Sequence, residues 1–281
     1  MFVFLNDEII SQSDAFISPF DRGFLFADGV YESIRTYNRK LYKLDEHLKR
    51  LKRSLNETRI DFSELNCLEN IIYELIQKNN IENESLIYLQ ITRGMASERT
   101  HSFPQEKTIP TLFISVKEFK ENIEEQTKGV KVILQEDVRW LRCDIKSTSL
   151  LPVVLANQKA KDEAAEEAIF VRDGLITEGS HTNFFAIKDE TVYTAPKSRL
   201  ILEGITRGIV LEFCSKFKID YREEIISKDE LKSFSEFFIT STTKEITPVT
   251  MIDYWQINDG EPGKITKSLQ SVFKKVTEDH H

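Results

Sequence analysis

Apolar side chains recur every three to four residues in several stretches of the chain, which is the spacing of one face of an α-helix. Leu48, Leu51 and Leu55 have this spacing, with basic residues between them, and a similar pattern continues through residues 67–77. In a third stretch, Ile205, Ile209, Phe213 and Phe217 recur every four residues. The pattern predicts helices over residues 45–55 and 67–77, and another that begins near residue 204.

A different helix pattern occupies residues 152–165. Its inward stripe consists mostly of small residues, namely Val153, Ala156, Ala160 and Ala164. Small side chains on one helix face allow close packing on a sheet. We therefore expect this helix to lie directly against strands.

Short segments rich in β-branched and aromatic residues alternate with these helices. They predict strands over residues 86–91, 111–116, 130–134, 168–171, 183–187 and 237–240. Many short strands with few regular βαβ units indicate an α+β fold. The chain of 281 residues is long enough for two domains. We predict an N-terminal domain over residues 1–117 and a larger C-terminal domain over 129–281. The Glu-rich stretch 118–128 is either their connection or an exposed helix or hairpin arm.

Charge and cysteine content narrow the class of protein. The net charge is 38 − 46 = −8, which argues against nucleic acid or an anionic membrane as a partner. The three cysteines are far apart and form no CxxC pair, which indicates a reducing compartment and predicts no metal site. A cytoplasmic enzyme is therefore expected, and no function is assigned to His280-His281.

Two polar clusters suggest covalent cofactor chemistry. Lys146 follows Arg139-Trp140-Leu141-Arg142-Cys143-Asp144-Ile145, which we expect to be a strand-like approach followed by a helix start. About thirty residues later comes Thr177-Glu178-Gly179-Ser180. A lysine able to form a Schiff base and a carboxylate able to face a ring nitrogen are the two groups that a pyridoxal phosphate enzyme most needs.

Three further segments could bind anions. The helix start at Gly204-Ile205-Thr206-Arg207 offers backbone N–H groups to an anion, although a plain helix cap is the better explanation of this segment taken alone. The Ser241-Thr242-Thr243 turn offers hydroxyls, although such turns are common without a ligand. Arg99-Thr100-His101 could hold a carboxylate on a loop, although loop Arg and His residues are usually only solvated.

Together these segments resemble the class IV, or fold type IV, pyridoxal phosphate aminotransferases. That family includes D-amino acid aminotransferases, branched-chain aminotransferases and aminodeoxychorismate lyases. The resemblance runs nearly end to end, in the order Asp21-Arg22-Gly23, Asp28 to Glu32, His47 to Leu51, Arg139 to Ser147, Thr177 to Ser180, Gly204 to Arg207, and Thr240 to Val249. It implies a two-domain enzyme with its active site between the domains, pyridoxal 5'-phosphate as cofactor, and a homodimer.

The resemblance also implies roles for individual residues. Lys146 corresponds to the Schiff-base lysine, and Glu178 to the acid that keeps the pyridine nitrogen protonated. Leu202 corresponds to the apolar residue that packs on the pyridine ring. The implied phosphate ligands are Arg50, the backbone of Ile205 and Thr206, and Thr242, with Ser241 nearby.

The implied substrate site indicates which family branch is involved. Arg99, His101 and Tyr31 resemble the carboxylate trap of D-amino acid aminotransferases, whereas branched-chain enzymes lack this Arg-x-His loop. The stretch Met95–Glu98 is one residue longer than that pattern. We therefore expect amino transfer between D-amino acids and 2-oxo acids, for example D-alanine and 2-oxoglutarate giving pyruvate and D-glutamate. The alternatives are a transaminase for branched-chain L-amino acids or (R)-amines, a C–C lyase, and a degenerate chain that only binds cofactor.

Overall fold

The computed structural model describes residues 1–280, so His281 lies outside the described residues. The chain forms two compact units. Unit 1 comprises residues 1–120, 145–149 and 280, and unit 2 comprises residues 121–144 and 150–279. The chain therefore enters unit 2, returns to unit 1 for the five residues around Lys146, and then completes unit 2.

Unit 1 is an antiparallel sheet covered on one face by helices. Among its described residues the strands follow the order β2-β1-β6-β5-β3-β4. The strands are β1 (Phe2–Leu5), β2 (Glu8–Ser11), β3 (Gly29–Tyr37), β4 (Lys40–Leu41), β5 (Ser85–Thr92) and β6 (Thr111–Glu118). The helices are α1 (Arg22–Phe26), α2 (Leu44–Thr58) and α3 (Leu68–Lys78), with 3-10 turns at Gln12–Asp14 and Glu64–Cys67.

Strand alternation determines which face of this sheet is buried. Val30, Ile34 and Ile87 point to the face that packs on the leucine and isoleucine side chains of α2 and α3. The opposite face carries Tyr31 and Tyr88, whose ring centroids are 5.7 Å apart. One face of the sheet is thus a hydrophobic core, while the other presents polar and aromatic groups.

Unit 2 is built on a mixed sheet. Among its described residues the strand order is β12-β11-β10-β14-β15-β7-β8-β9-β13, with β16 paired to β15. The strands are β7 (Val130–Glu136), β8 (Glu167–Arg172), β9 (Leu175–Gly179), β10 (Asn183–Lys188), β11 (Thr191–Thr194), β12 (Tyr221–Glu223), β13 (Ile226–Ser227), β14 (Glu236–Ser241), β15 (Glu245–Ile252) and β16 (Trp255–Gln256). The helices are α4 (Ile123–Lys128), α5 (Leu151–Asp162), α6 (Ile205–Phe217) and α7 (Lys264–Glu278), with a 3-10 segment at Lys228–Ser233.

Parallel pairs join β15 to β7, β7 to β8, and β11 to β12, while the other pairs are antiparallel. Together with the antiparallel sheet of unit 1, this topology confirms the α+β class. The predicted helices match α2, α3, α5 and α6, and the predicted strands match β5, β6, β7, β8, β10 and β14. No helix among residues 1–280 combines the length and the apolar character that a membrane span requires.

Two local predictions were wrong. The helix predicted to reach residue 165 ends at Asp162, because Ala164 adopts a left-handed backbone with φ +52° and Ala165 N–H returns to the carbonyl of Ala160. The strand-like approach to Lys146 is also absent from the described residues 137–146. Cys143 N–H there donates to the carbonyl of Arg199 instead of joining a ladder, and the next helix begins only at Leu151.

Candidate active site

Backbone contacts fix the segment that carries Lys146 against unit 1. Ser147 forms an isolated bridge with Val30 of β3, and Tyr31 N–H donates to the carbonyl of Lys146 at 3.0 Å. Lys146 N–H in turn donates to Ser54 Oγ on α2 at 3.3 Å. The Lys146 ammonium then lies 4.2 Å from the ring centroid of Tyr31. Two of the predicted site residues are therefore in contact.

A buried charge cluster lies beside this segment, also in unit 1. Arg50 on α2 donates to both oxygens of Glu32 at 2.8 Å, and His47 Nδ1 lies 2.7 Å from Glu32 Oε2. Burial alone would raise the pKa of Glu32, but the Arg50 guanidinium outweighs it and holds that pKa well below its usual range. Burial lowers the pKa of His47 despite Glu32, with Arg50 and Lys146 adding to the effect, so the imidazole stays neutral near pH 7.

Arg22 anchors the loop that carries Arg99 and His101. This buried side chain donates to Asp28 at 2.9 Å and to the carbonyl of Thr100 at 2.8 Å. Both loop side chains contact Phe26: the Arg99 guanidinium lies 4.9 Å from the ring centroid, and the centroid of the His101 ring lies 5.5 Å from it. Tyr31, by contrast, contacts Tyr88 and Lys146. Among residues 1–280, no hydrogen bond or ring contact joins Tyr31 to the loop.

Glu178 is the central carboxylate of unit 2. Arg139 donates to its Oε1 at 2.7 Å, and Leu202 N–H and Asn183 Nδ2 donate to Oε2 at 2.9 and 3.1 Å. Burial raises the pKa of Glu178 to about 7, although Arg139 opposes the rise. Arg139 is itself bound to Asp137 at 2.9 Å. The carboxylate thus stands near its point of ionisation at neutral pH.

Asn183 gathers the remaining unit-2 groups around Glu178. Its amide donates to the carbonyl of Leu202 at 2.9 Å as well as to Glu178. A Cβ built on Gly204 would lie 2.0 Å from Asn183 Oδ1, so only glycine fits there. Asn183 also pairs in register with Thr240 of β14. Through this one residue, the Glu178 carboxylate, the start of α6 and the end of β14 converge.

The groups at that convergence form a candidate anion site. Gly204 is the N-cap of α6 and supplies no side chain, so the N–H groups of Ile205 and Thr206 are available at the positive end of the helix dipole. β14 ends in the Ser241-Thr242-Thr243 turn, where hydroxyl groups are half-buried. Thr240 Oγ1, just before it, is buried without a hydrogen-bond partner among residues 1–280. These groups suit a phosphate dianion.

The predicted residues therefore fall into sets within each unit. In unit 1, Lys146 contacts Tyr31 while Arg50 binds Glu32, and the loop of Arg99 and His101 is separate. In unit 2, Glu178 contacts Leu202, and Asn183 connects both to the start of α6 and to Thr240, the residue before the Ser241-Thr242 turn. Sequence reasoning missed Asn183 and Arg139 because each acts through long-range contacts. The available signal was the place of Arg139 as the first residue of the Lys146 segment, and of Asn183 three residues after Ser180.

Comparisons with known proteins identify the family of the chain. The family described as amino-transferase class IV matches residues 29–252. A D-alanine aminotransferase of Staphylococcus aureus (strain N315) is 43% identical over 279 residues, covering 99% of this chain and 98% of its own. A D-alanine aminotransferase of Bacillus licheniformis is 44% identical over 276 residues, covering 98% and 96%.

The fold is shared with solved structures. The branched-chain amino acid aminotransferase of Escherichia coli superimposes with a TM-score of 0.90 at 24% identity, covering 98% of this chain and 94% of its own. At that identity the likeness concerns the fold alone, and it confirms the predicted fold type IV. Given the family match over most of its length and relatives above 40% identity, the chain belongs to the class IV aminotransferases.

Proposed function

We propose that the protein transfers amino groups between D-amino acids and 2-oxo acids. The observation that carries the proposal is the end-to-end similarity, at 43% and 44% identity, to proteins named D-alanine aminotransferase. The loop with Arg99 and His101, anchored through Arg22, supports it because it supplies a guanidinium and an imidazole N–H, both of which can donate to a substrate carboxylate. D-alanine and 2-oxoglutarate are the expected pair, giving pyruvate and D-glutamate.

Class IV aminotransferases use pyridoxal 5'-phosphate, and the unit-2 groups fit this cofactor. The start of α6 and the Ser241-Thr242 turn match its phosphate, and the Glu178 carboxylate matches a ring nitrogen that carries a proton. In the proposal, Leu202 packs on the ring and Arg50 is a further phosphate ligand. Arg50 binds Glu32 through Nε and Nη2, which orients its guanidinium.

When bound, pyridoxal 5'-phosphate acts as the electron sink for the substrate α-carbon and carries the amino group between half-reactions. The proposed role of Lys146 is to attach the cofactor through Nζ and, once displaced, to move the proton at the substrate α-carbon. The hydrogen bonds with Tyr31 and Ser54 fix the backbone of Lys146, and its amine lies 4.2 Å from the ring centroid of Tyr31. Glu178 holds the ring-nitrogen proton, and Arg139 and Leu202 keep its carboxylate oriented.

Tyr31, Arg99 and His101 are the proposed substrate-carboxylate ligands. Tyr31 is oriented by contact with the Tyr88 ring at 5.7 Å. Burial raises the pKa of Tyr88 to about 12, so its hydroxyl stays protonated and donates to Gln90 at 2.7 Å. Placement of the substrate carboxylate relative to Lys146 would select the D or the L form, because the same amine can serve either.

A half-reaction tests the function. The cofactor-loaded protein is mixed separately with D-alanine, L-alanine, L-leucine and an (R)-amine, and its visible absorption is followed. The proposal expects loss of the visible band with D-alanine and recovery with 2-oxoglutarate. A response to L-leucine or the amine alone would instead favour the other transaminases. Pyruvate release from an aminodeoxychorismate-like substrate without any amino acceptor would favour the lyase.

We further propose a homodimer. Large apolar side chains are exposed in both units, including Phe16, Phe20, Phe24 and Met95 in unit 1 and Leu141, Leu151, Val154 and Leu155 in unit 2. Large apolar side chains that would otherwise face water are often covered at interfaces. Sedimentation equilibrium of the wild type and of Phe24→Glu tests the assembly: a wild-type protein that stays monomeric at micromolar concentration would contradict it. The cytoplasmic location stays a prediction from composition.

A further inference from the structure

Glu167 is a fully buried carboxylate at the start of β8, outside the motifs that identified the family. It accepts five hydrogen bonds. Oε1 receives Ala168 N–H at 2.8 Å, Ser180 N–H at 3.0 Å and Ser180 Oγ at 2.5 Å. Oε2 receives His181 N–H at 3.2 Å and Thr182 Oγ1 at 2.8 Å. A carboxylate is the side chain that can accept bonds at both of its atoms.

Four of these five donors lie in one turn. Ser180, His181 and Thr182 connect β9, which ends in Glu178-Gly179, to β10, which begins at Asn183. The turn is closed onto the carboxylate so tightly that a Cβ on Gly179 would lie 2.9 Å from Glu167 Oε2 and 2.1 Å from Thr182 Oγ1. In addition, His181 Nδ1 lies 3.1 Å from Glu167 Oε2. The turn therefore rests on Glu167.

The two residues that flank this turn are functional in the proposed site. Glu178 lies two residues before Ser180, separated from the turn by Gly179. Asn183, which donates to Glu178 Oε2 and to the carbonyl of Leu202, immediately follows the turn. We infer that Glu167 is a positioning residue, which fixes the carboxylate of Glu178 by anchoring the turn between Glu178 and Asn183. This inference rests on the role proposed for Glu178.

Replacement by glutamine keeps the size of the side chain but turns one acceptor into a donor. Its NH₂ group would face either the Ala168 and Ser180 N–H groups or the His181 N–H group, none of which can accept. The turn should loosen, and displacement of a positioning element by about 1 Å can cost roughly a hundredfold in rate. Because Glu167 does not touch the substrate in this scheme, kcat should fall while the KM for D-alanine changes little.

Glu236 provides a matched control. It accepts Ile265 N–H at 3.1 Å, and Thr266 N–H and Oγ1 at 2.9 and 2.8 Å, at the start of α7. Its chemistry is that of Glu167, with backbone and hydroxyl donors on one carboxylate in the same unit. Its partners, however, belong to α7 and not to the turn formed by residues 180–182. Glu236→Gln should lower stability without changing kcat.

The experiment compares Glu167→Gln, Glu236→Gln and Glu178→Gln in two ways. Hydrogen exchange of the cofactor-free proteins reports on peptides spanning residues 175–188. The loaded enzymes are assayed for kcat, for KM with D-alanine, and for the pH at which the visible spectrum changes. For Glu167→Gln we expect faster exchange in the turn, a kcat lowered by roughly ten- to a hundredfold, and a lower spectral transition pH. Glu236→Gln should retain the wild-type kcat and spectrum.

The outcomes separate two failures. If Glu178→Gln is slow but Glu167→Gln retains the wild-type rate and spectrum, the positioning role is refuted while the proposed site stands. If Glu178→Gln itself turns over at the wild-type rate, the role of Glu178 is refuted and the inference falls with it. Should Glu167→Gln not fold, Thr182→Val removes one donor at nearly constant volume. An unchanged rate and spectrum in that variant would likewise overturn the inference.

Discussion

Arg139→Met would remove the guanidinium that donates to Glu178 Oε1 at 2.7 Å and to both oxygens of Asp137 at 2.9 Å. The substitution would leave Asp137 and Glu178 with different partners. Asp137 keeps its ion pair with Arg172 at 3.1 Å, whereas Glu178 keeps only the neutral donors Leu202 N–H and Asn183 Nδ2 among its described contacts. The perturbation therefore acts mainly on Glu178.

The expected magnitude follows from burial. Breaking a buried pair by removing one partner costs about 3–5 kcal/mol where the other charge stays uncompensated, and less where that group takes up a proton, as Glu178 can. The pKa of Glu178 is already raised to about 7 by burial, and loss of Arg139 should raise it further. Glu178 is then neutral in the variant but mostly ionised in the wild type at pH 8. The loss of stability should consequently be larger at pH 8 than at pH 6, by about 1 kcal/mol.

Urea unfolding of the cofactor-free protein at pH 6 and pH 8 measures both quantities. Arg172→Met is the matched control, because Arg172 contacts Asp137 and the carbonyl of Arg139 and should show no such pH difference. Two results would refute the reasoning: an Arg139→Met protein within about 1 kcal/mol of wild type at pH 8, or a loss that is the same at both pH values. The same variant should also be slow, since a neutral Glu178 cannot stabilise a protonated ring nitrogen.

Three other outcomes are expected. Lys146→Ala should abolish turnover and the visible absorption of the loaded protein, and near-normal activity would contradict its assigned role. Arg99→Ala should raise the KM for 2-oxoglutarate by roughly ten- to a hundredfold, the worth of a charged hydrogen bond, whereas Lys107→Ala on the same loop should not; steady-state kinetics with unchanged constants would place the trap elsewhere. Burial lowers the pKa of His47 below the usual 6.5, so the unfolded chain takes up its proton first and stability is lost as pH falls below 6.5. His47→Gln should flatten that loss in urea titrations between pH 5 and 6.5, and parallel curves would argue against a neutral buried imidazole.

Elements governed by local periodicity could be predicted from the sequence. The spacing of Ile205, Ile209, Phe213 and Phe217 gives the 3.6-residue period of α6, and β5 and β6 are dense in residues that favour strands. Such elements can be predicted because the spacing of their apolar residues depends only on local sequence. The segment before Lys146 has a strand-like composition, but strand formation needs a neighbouring ladder, and its Cys143 N–H is taken by Arg199.

The residues of the candidate site likewise divide into those that belong to contiguous motifs and those whose partners are distant in sequence. Lys146, Glu178 and the Ser241-Thr242 turn could be proposed as site residues because their motifs are contiguous in sequence. Arg139, Asn183 and Glu167 could not be assigned roles, because each acts on groups brought to it by strand pairing, such as that of Asn183 with Thr240. A charged or amide residue within an apolar strand indicates that its side chain, once buried, must have hydrogen-bond partners. The sequence does not indicate which residues those partners are.

The return of residues 145–149 to unit 1 has a consequence for the order of events during synthesis. Tyr31 N–H finds its acceptor, the carbonyl of Lys146, 146 − 31 = 115 positions later, and closing a loop of that length costs about 4 kcal/mol of chain entropy. The N-terminal unit therefore cannot be completed on the ribosome when its own first 120 residues have emerged. It must wait, with part of β3 unmatched, until Ser149 is free of the exit tunnel. A fragment ending at residue 120 would lack the proposed catalytic amine, and a nick between residues 121 and 144 would turn the attachment of that amine to β3 from an intramolecular step into one that depends on concentration.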